Sequence, residues 1–187
     1  MDVLSAFKYR LYPKPEQEMR LKSSLFLLCE LYNRLRARKI DQFKTQGISM
    51  TRTDLRAAAL AERRSNQELT TVHSQVVQNV ADRVHVAFKR FLSDQSRFPR
   101  KKHPRKYVSF TFPQYGFKLR RERALYLFGI GDVRLFMHRH LAGEVQSLVI
   151  KREVEQWYAI FVTERPTPLK PDLNSISPSH VRGATWD

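Results

Sequence analysis

The chain has 187 residues, 42% of them hydrophobic, with 34 Lys and Arg against 18 Asp and Glu for a formal net charge of +16. That apolar fraction supports a packed core and excludes a disordered tail, while no apolar stretch approaches the ~18 residues of a membrane span. A folded chain this basic calls for a polyanionic partner, with nucleic acid ahead of an anionic membrane surface. The only cysteine, Cys29, rules out an intrachain disulfide or a zinc ribbon within these residues and fits a reducing, cytoplasmic compartment; its apolar helical setting makes it buried filler. The run Leu25–Cys29 is too short for a signal-peptide core, and the six glycines form no phosphate-cradling loop.

In chain order, 3–12 predicts a strand, with Phe7, Tyr9 and Leu11 alternating with Lys8 and Arg10, stopped by Pro13 and Pro15. Pro15, Glu16 and Glu18 suit the first turn of a helix running to about 45. Its apolar stripe is Met19, Leu21, Leu25, Leu28, Leu31, Tyr32 and Leu35, and Gly47 ends it. Thr51 to Asp54 predicts a capping box opening a helix over 52–64, broken at Ser65-Asn66. A third helix is expected over about 71–94, its apolar stripe formed by Val76, Val80, Val84, Ala87, Phe88 and Phe91, with Gln75, Gln78, Asn79, Asp82, Arg83, Lys89 and Arg90 off that stripe. After Pro99 the period changes to two. Strands are expected over 107–112, 117–121, 124–128, 132–137, 145–152 and 157–163, the last two a hairpin around Val154-Glu155-Gln156. Four prolines between 164 and 180 read as an extended linker.

These elements imply an α+β fold: a small antiparallel β-barrel with a three-helix block inserted after its first strand. The expected division is a first barrel strand at 1–13, a helix-turn-helix-like helical block at 14–96, the rest of the barrel at 97–163, and a linker with the start of a further domain at 164–187.

Charge is concentrated. Residues 97–139 hold twelve Lys and Arg against two acids, Glu122 and Asp132, so +10 of the +16 lies in 43 residues. Arg97, Arg100, Lys101, Lys102, Arg105 and Lys106, stiffened by Pro99 and Pro104, are candidate RNA-backbone contacts, against the plainer reading of a solvated loop. Lys118, Arg120 and Arg121 alternate around a strand and turn, as phosphate contacts or a soluble hairpin tip. Arg34 and Arg38, at i and i+4, repel each other without an anion between them. Gln75 and Gln78 carry amides that pair with adenine edges in a major groove, and Lys89 and Arg90 follow three turns later as phosphate contacts. His138 and Arg139 are further RNA candidates. Tyr9, Tyr12, Phe110, Phe112, Trp157 and Tyr158 stack on bases or, for most of them in a small barrel, form core. No His or Cys spacing fits a zinc site, and the acids are scattered, many beside Lys or Arg.

Seven segments in order resemble the N-terminal half of the TnpB/OrfB proteins of insertion sequences, relatives of the type V CRISPR effectors. They are Phe7-Lys8-Tyr9-Arg10-Leu11-Tyr12-Pro13 with Gln17; Leu31-Tyr32-Asn33-Arg34-Leu35; Val72 to Gln78 with Ala87-Phe88-Lys89-Arg90-Phe91; Phe98-Pro99-Arg100-Lys101-Lys102; Ser109 to Gln114; Gly131-Asp132-Val133-Arg134 with His138-Arg139; and Val149 to Glu153 with Trp157-Tyr158-Ala159. The resemblance implies a wedge-type barrel and helical recognition block that grip a transposon-encoded guide RNA and read a short DNA motif, with DNA-motif reading on the third helix. Cutting in that family belongs to a RuvC-like domain after the linker, with three carboxylates around divalent metal. Asp187 is either the first of these or no part of the set, and the other two are not in the chain. The resemblance therefore implies DNA and RNA partners, no membrane, no small-molecule substrate, no cofactor and no catalytic residues here. A nuclease-free RNA-guided DNA binder, a helix-turn-helix DNA-binding protein built on 52–93, and an RNA-only binder of ribosomal type are the alternatives.

Overall fold

A computed structural model describes residues 3–120 and 123–165. Strand β1 (Val3–Tyr12) leads into α1 (Pro15–Gln46), α2 (Arg52–Ser65), the single turn α3 (Gln67–Thr70) and α4 (Ser74–Leu92). A 3-10 turn, Pro104–Lys106, precedes β2 (Ser109–Phe112), β3 (Phe117–Arg120), β4 (Ala124–Leu127), β5 (Gly131–Phe136), β6 (Glu144–Glu153) and β7 (Gln156–Arg165).

The seven strands form one antiparallel sheet in the order β2-β6-β7-β1-β5-β4-β3. Its edges are consecutive in the chain, and Phe112 of β2 lies ring to ring with Phe117 of β3 at 6.0 Å, so the sheet curls into a nearly closed barrel. Helices after the first strand complete the mixed fold. Because side chains alternate across a strand, one set fills the barrel: Tyr9, Leu11, Phe112, Leu125, Trp157 and Phe161 are all buried. Each such large side chain contributes roughly 1.5–3 kcal/mol on leaving water. The barrel and the helices share one hydrophobic cluster.

Local signals act as their chemistry dictates. Gly47 caps α1 at φ 69°, its N–H donating to the Phe43 carbonyl. Thr51 and Asp54 close a reciprocal capping box on α2. Gln17 satisfies the Lys14 N–H at 3.0 Å and donates to the Asp132 carbonyl at 2.8 Å, joining the start of α1 to β5. At Gly116, φ 97°, an added Cβ would stand 2.7 Å from the His73 ring, so the loop between β2 and β3 lies flat on the start of α4.

Several expectations shift. The third helix begins at Ser74, because Asn66 caps α3 and His73 caps α4, accepting from the Gln75 N–H. Met19 is 64% exposed, since the first turns of α1 bury only Leu21 and Leu25. β2 begins at Ser109 because the Pro104–Lys106 turn occupies the approach. β7 continues to Arg165, two residues into the stretch read as linker, where Arg165 pairs with Val3. Arg121, the remaining linker and Asp187 lie outside the described residues.

Candidate nucleic-acid interface

The basic segment 97–106 is not a loose loop. Its backbone is bound to α1 by side chains that project from one helical face. Asn33, 7% exposed, donates from Nδ2 to the Lys102 carbonyl at 2.9 Å and accepts the Lys102 N–H on Oδ1 at 2.8 Å. The Cys29 Sγ lies 3.6 Å from the same carbonyl, and Arg36 Nε donates to the Pro99 carbonyl at 2.7 Å. The Phe98 ring meets Phe88 and Phe91 of α4 edge to face, at 5.7 and 5.1 Å. Cys29, Asn33 and Arg36 recur at helical spacing, so α1 presents them as a row.

The cationic side chains point the other way. Arg97, Arg100, Lys101, Lys102, Arg105 and Lys106 are all exposed. Arg90, in the last turn of α4, joins Arg97, Arg100 and Lys102 around a groove of about 330 Å³ floored by Tyr32 and Phe98. An adjoining groove of about 290 Å³ holds Lys102, Lys106 and Arg83. The structure thus gathers seven of the candidate cations along one seam between α1, α4 and the segment. Burial pushes the Cys29 thiol up, away from reactivity.

Arg83 is a latch. It donates to the Ser109 carbonyl at 2.8 Å and to Thr111 Oγ1 at 2.9 Å, fixing α4 against β2. Asp82 on the same helix receives two arginines of α2. Arg52 reaches it at 2.7 and 2.9 Å and Arg56 at 2.7 and 2.6 Å. Burial alone would raise the Asp82 carboxyl; the two guanidiniums outweigh it and hold it down at about 2.

The other candidates are dispersed. Arg34 is paired with Glu62 of α2 at 2.6 Å, so the anion beside it belongs to the protein, while Arg38 is exposed. Gln75 Oε1 accepts the Tyr115 N–H at 2.8 Å, a structural tie to the loop after β2. Gln78 is half-buried and makes no side-chain hydrogen bond among the described residues. Lys89 stands over a separate groove of about 470 Å³ with His85 and Lys39. Lys118 is exposed on β3, and Arg120 pairs with Asp132 at 3.0 Å. His138 and Arg139 lie past β5, the Arg139 guanidinium 4.7 Å from the centre of the Phe7 ring and its carbonyl accepting from Tyr9 Oη at 3.1 Å.

Of the aromatic candidates, Tyr9, Phe110, Phe112 and Trp157 are core, whereas Tyr12 is 43% exposed. Asn33, Arg36, Lys39 and Arg83 were not candidate site residues by sequence, although Asn33 stands in a family-like segment and Arg83 off the apolar stripe of its helix. A polar Asn33 four residues after Cys29, within an apolar stripe, was the available signal. Lys39 gave none: it is 6% exposed, its ammonium donating to Ser49 Oγ at 2.9 Å and to the Met50 carbonyl.

The structure thus sets a first strand, a helical block and a nearly closed barrel around one exposed basic seam. Residues 1–47 match the family described as "Helix-turn-helix domain" (HTH_OrfB_IS605). The chain is 27% identical over 182 residues to "Putative RNA-guided DNA endonuclease InsQ" of Escherichia coli (strain K12), covering 94% of this chain and 45% of that protein. It therefore spans about half the length of the curated relative it matches. A solved structure, "Cryo-EM structure of the Cas12f1-sgRNA-target DNA complex", is similar with a TM-score of 0.46 and 12% identity over 89% of this chain and 49% of that one. The chain is similar to the N-terminal part of the TnpB/OrfB-type proteins.

Proposed function

We propose that these residues are the nucleic-acid-binding part of a TnpB/OrfB-type transposition protein, gripping a transposon-encoded guide RNA and reading a short DNA motif. The observation that carries the reading is the segment 97–106, whose backbone is pinned while its cations face solvent. Pinning spares the entropy of ordering a loop when phosphates arrive. The RNA-guided endonuclease named among the relatives supports both RNA and DNA as partners; a helix-turn-helix protein of the ordinary kind needs no RNA. Gln78, unpaired on α4, is the residue we assign to adenine edges in a major groove, with Lys89 as a phosphate contact. We assign these 187 residues binding, in the cytoplasm; by the resemblance, cutting belongs to a RuvC-like domain with three carboxylates around divalent metal, and the chain incubated with Mg²⁺, guide RNA and target DNA is expected to leave the DNA uncut.

Salt-titrated binding to structured RNA tests this. With roughly six phosphates neutralised, log K against log salt falls with a slope near −5. Salt-independent binding, or none, contradicts the reading. With RNA and target DNA both present, Gln78→Ala flattens the preference among flanking DNA motifs and leaves RNA affinity nearly intact, whereas Lys89→Ala weakens DNA binding without changing the preferred motif. Full motif preference in Gln78→Ala removes the amide from DNA reading.

A further inference from the structure

The outer face of the barrel carries a second surface, away from the basic seam. Strand pairing sets Arg10 of β1 between Phe136 of β5 and Tyr158 of β7, and sets Tyr12 opposite Arg134. Paired residues share a face, and neighbouring strands stand about 4.8 Å apart, so rings and cations alternate in both directions across three strands. Phe136 is 58% exposed and Tyr12 43%. Lone exposed aromatics are ordinary; two exposed rings framed by cations on one continuous sheet are not.

The guanidiniums of Arg10 and Arg134 lie 5.0 and 5.8 Å from the centre of the same Tyr12 ring. Neither forms an ion pair among the described residues. Two like charges on one ring repel until an anion stands between them. We propose that this face binds an unpaired RNA segment, bases stacked on Tyr12 and Phe136 and phosphates held by Arg10 and Arg134. Sequence-tolerant stacking on aromatics inside a cationic track is how single strands are held. RNA is the occupant because unpaired bases are the ordinary state of its loops and ends, whereas DNA is ordinarily duplex. The inference rests on the reading of the chain as RNA-binding and adds a site that recognises unpaired bases.

The test uses the whole chain and fluorescence anisotropy with three probes, an unstructured RNA oligonucleotide, the DNA strand of the same sequence, and an RNA duplex of equal phosphate count. Tyr12→Ala with Phe136→Ala removes two exposed rings without opening the core; circular dichroism and thermal unfolding verify the fold. The expected result is a loss of roughly tenfold or more for the unpaired RNA, with duplex affinity within twofold of the parent. Tyr12→Phe with Phe136→Tyr keeps the stacking surface and retains parent affinity. Unchanged binding of the unpaired RNA, or equal losses on both RNA probes, overturns the stacking site while leaving the chain an RNA binder. Failure of the parent to bind either RNA probe would instead sink the functional reading itself. Tighter binding of the DNA strand of the same sequence overturns the assignment to RNA.

Discussion

Asn33 shows how one side chain converts a charged run into a surface. Its amide uses a donor and an acceptor on the two backbone groups of Lys102, at 2.9 and 2.8 Å, from a buried position on α1. Removing it leaves two part-buried backbone groups without their partner, a cost of about 1 kcal/mol or more. Asn33→Ala is expected to lower hydrogen-exchange protection of the Lys102 amide and to weaken RNA binding, with every cation still present. Persistent protection at Lys102 would mean that something else holds the segment. The sequence marked the cations but not the clamp: exposed charge is visible in composition, whereas a hydrogen bond spanning 69 positions is not. Lys39 is the sharper case. Burial lowers its pKa, although Asp54 opposes that shift, and a lysine in a basic helix reads as solvated until the fold covers it.

At the scale of elements, α2 and α4 are held together by charge as well as packing. The carboxyl of Asp82 is ordinarily near 3.8 and is held down at about 2 by Arg52 and Arg56. A carboxylate depressed in the folded state stabilises above its unfolded pKa, and that contribution fades as pH falls from about 4 through about 2. Its ceiling is about 2 kcal/mol, less what solvent screens at the exposed arginines. Asp82→Asn should therefore destabilise the chain near neutral pH, with the gap from the parent closing between pH 4 and 2 in denaturant titrations. A gap constant across that range would show that the pair contributes no pH-linked stability. Helices were legible because periodicity and caps are local: Gly47 and the Thr51–Asp54 box end and start them where expected. The start of α4 was not, because Asn66 opens a separate single turn and His73, against whose ring the Gly116 loop packs, makes the cap of α4. The matched helix-turn-helix family covers 1–47, which here is β1 and one uninterrupted helix of 32 residues. The turn between helices comes later, at α2 to α4.

For the whole molecule, alternation and helical period together implied a barrel interrupted by helices, and the strand order confirms it, with β1 completing a sheet whose other strands follow the helical block. The strand order itself was not readable, since nothing local in β1 names β5 and β7 as its neighbours. Tyr12 was named as a stacking candidate, but the face it forms with Arg10, Arg134 and Phe136 was not, because these residues are adjacent only through register. The seam is the central claim, that cations on a pinned backbone bind RNA. Its most direct test is the substitution of Arg100, Lys101 and Lys102 by Glu in the whole chain. All three are exposed, so thermal unfolding should stay close to that of the parent. The account predicts more than a tenfold loss of affinity for structured RNA at moderate salt and a shallower salt slope; unchanged affinity and slope would contradict it.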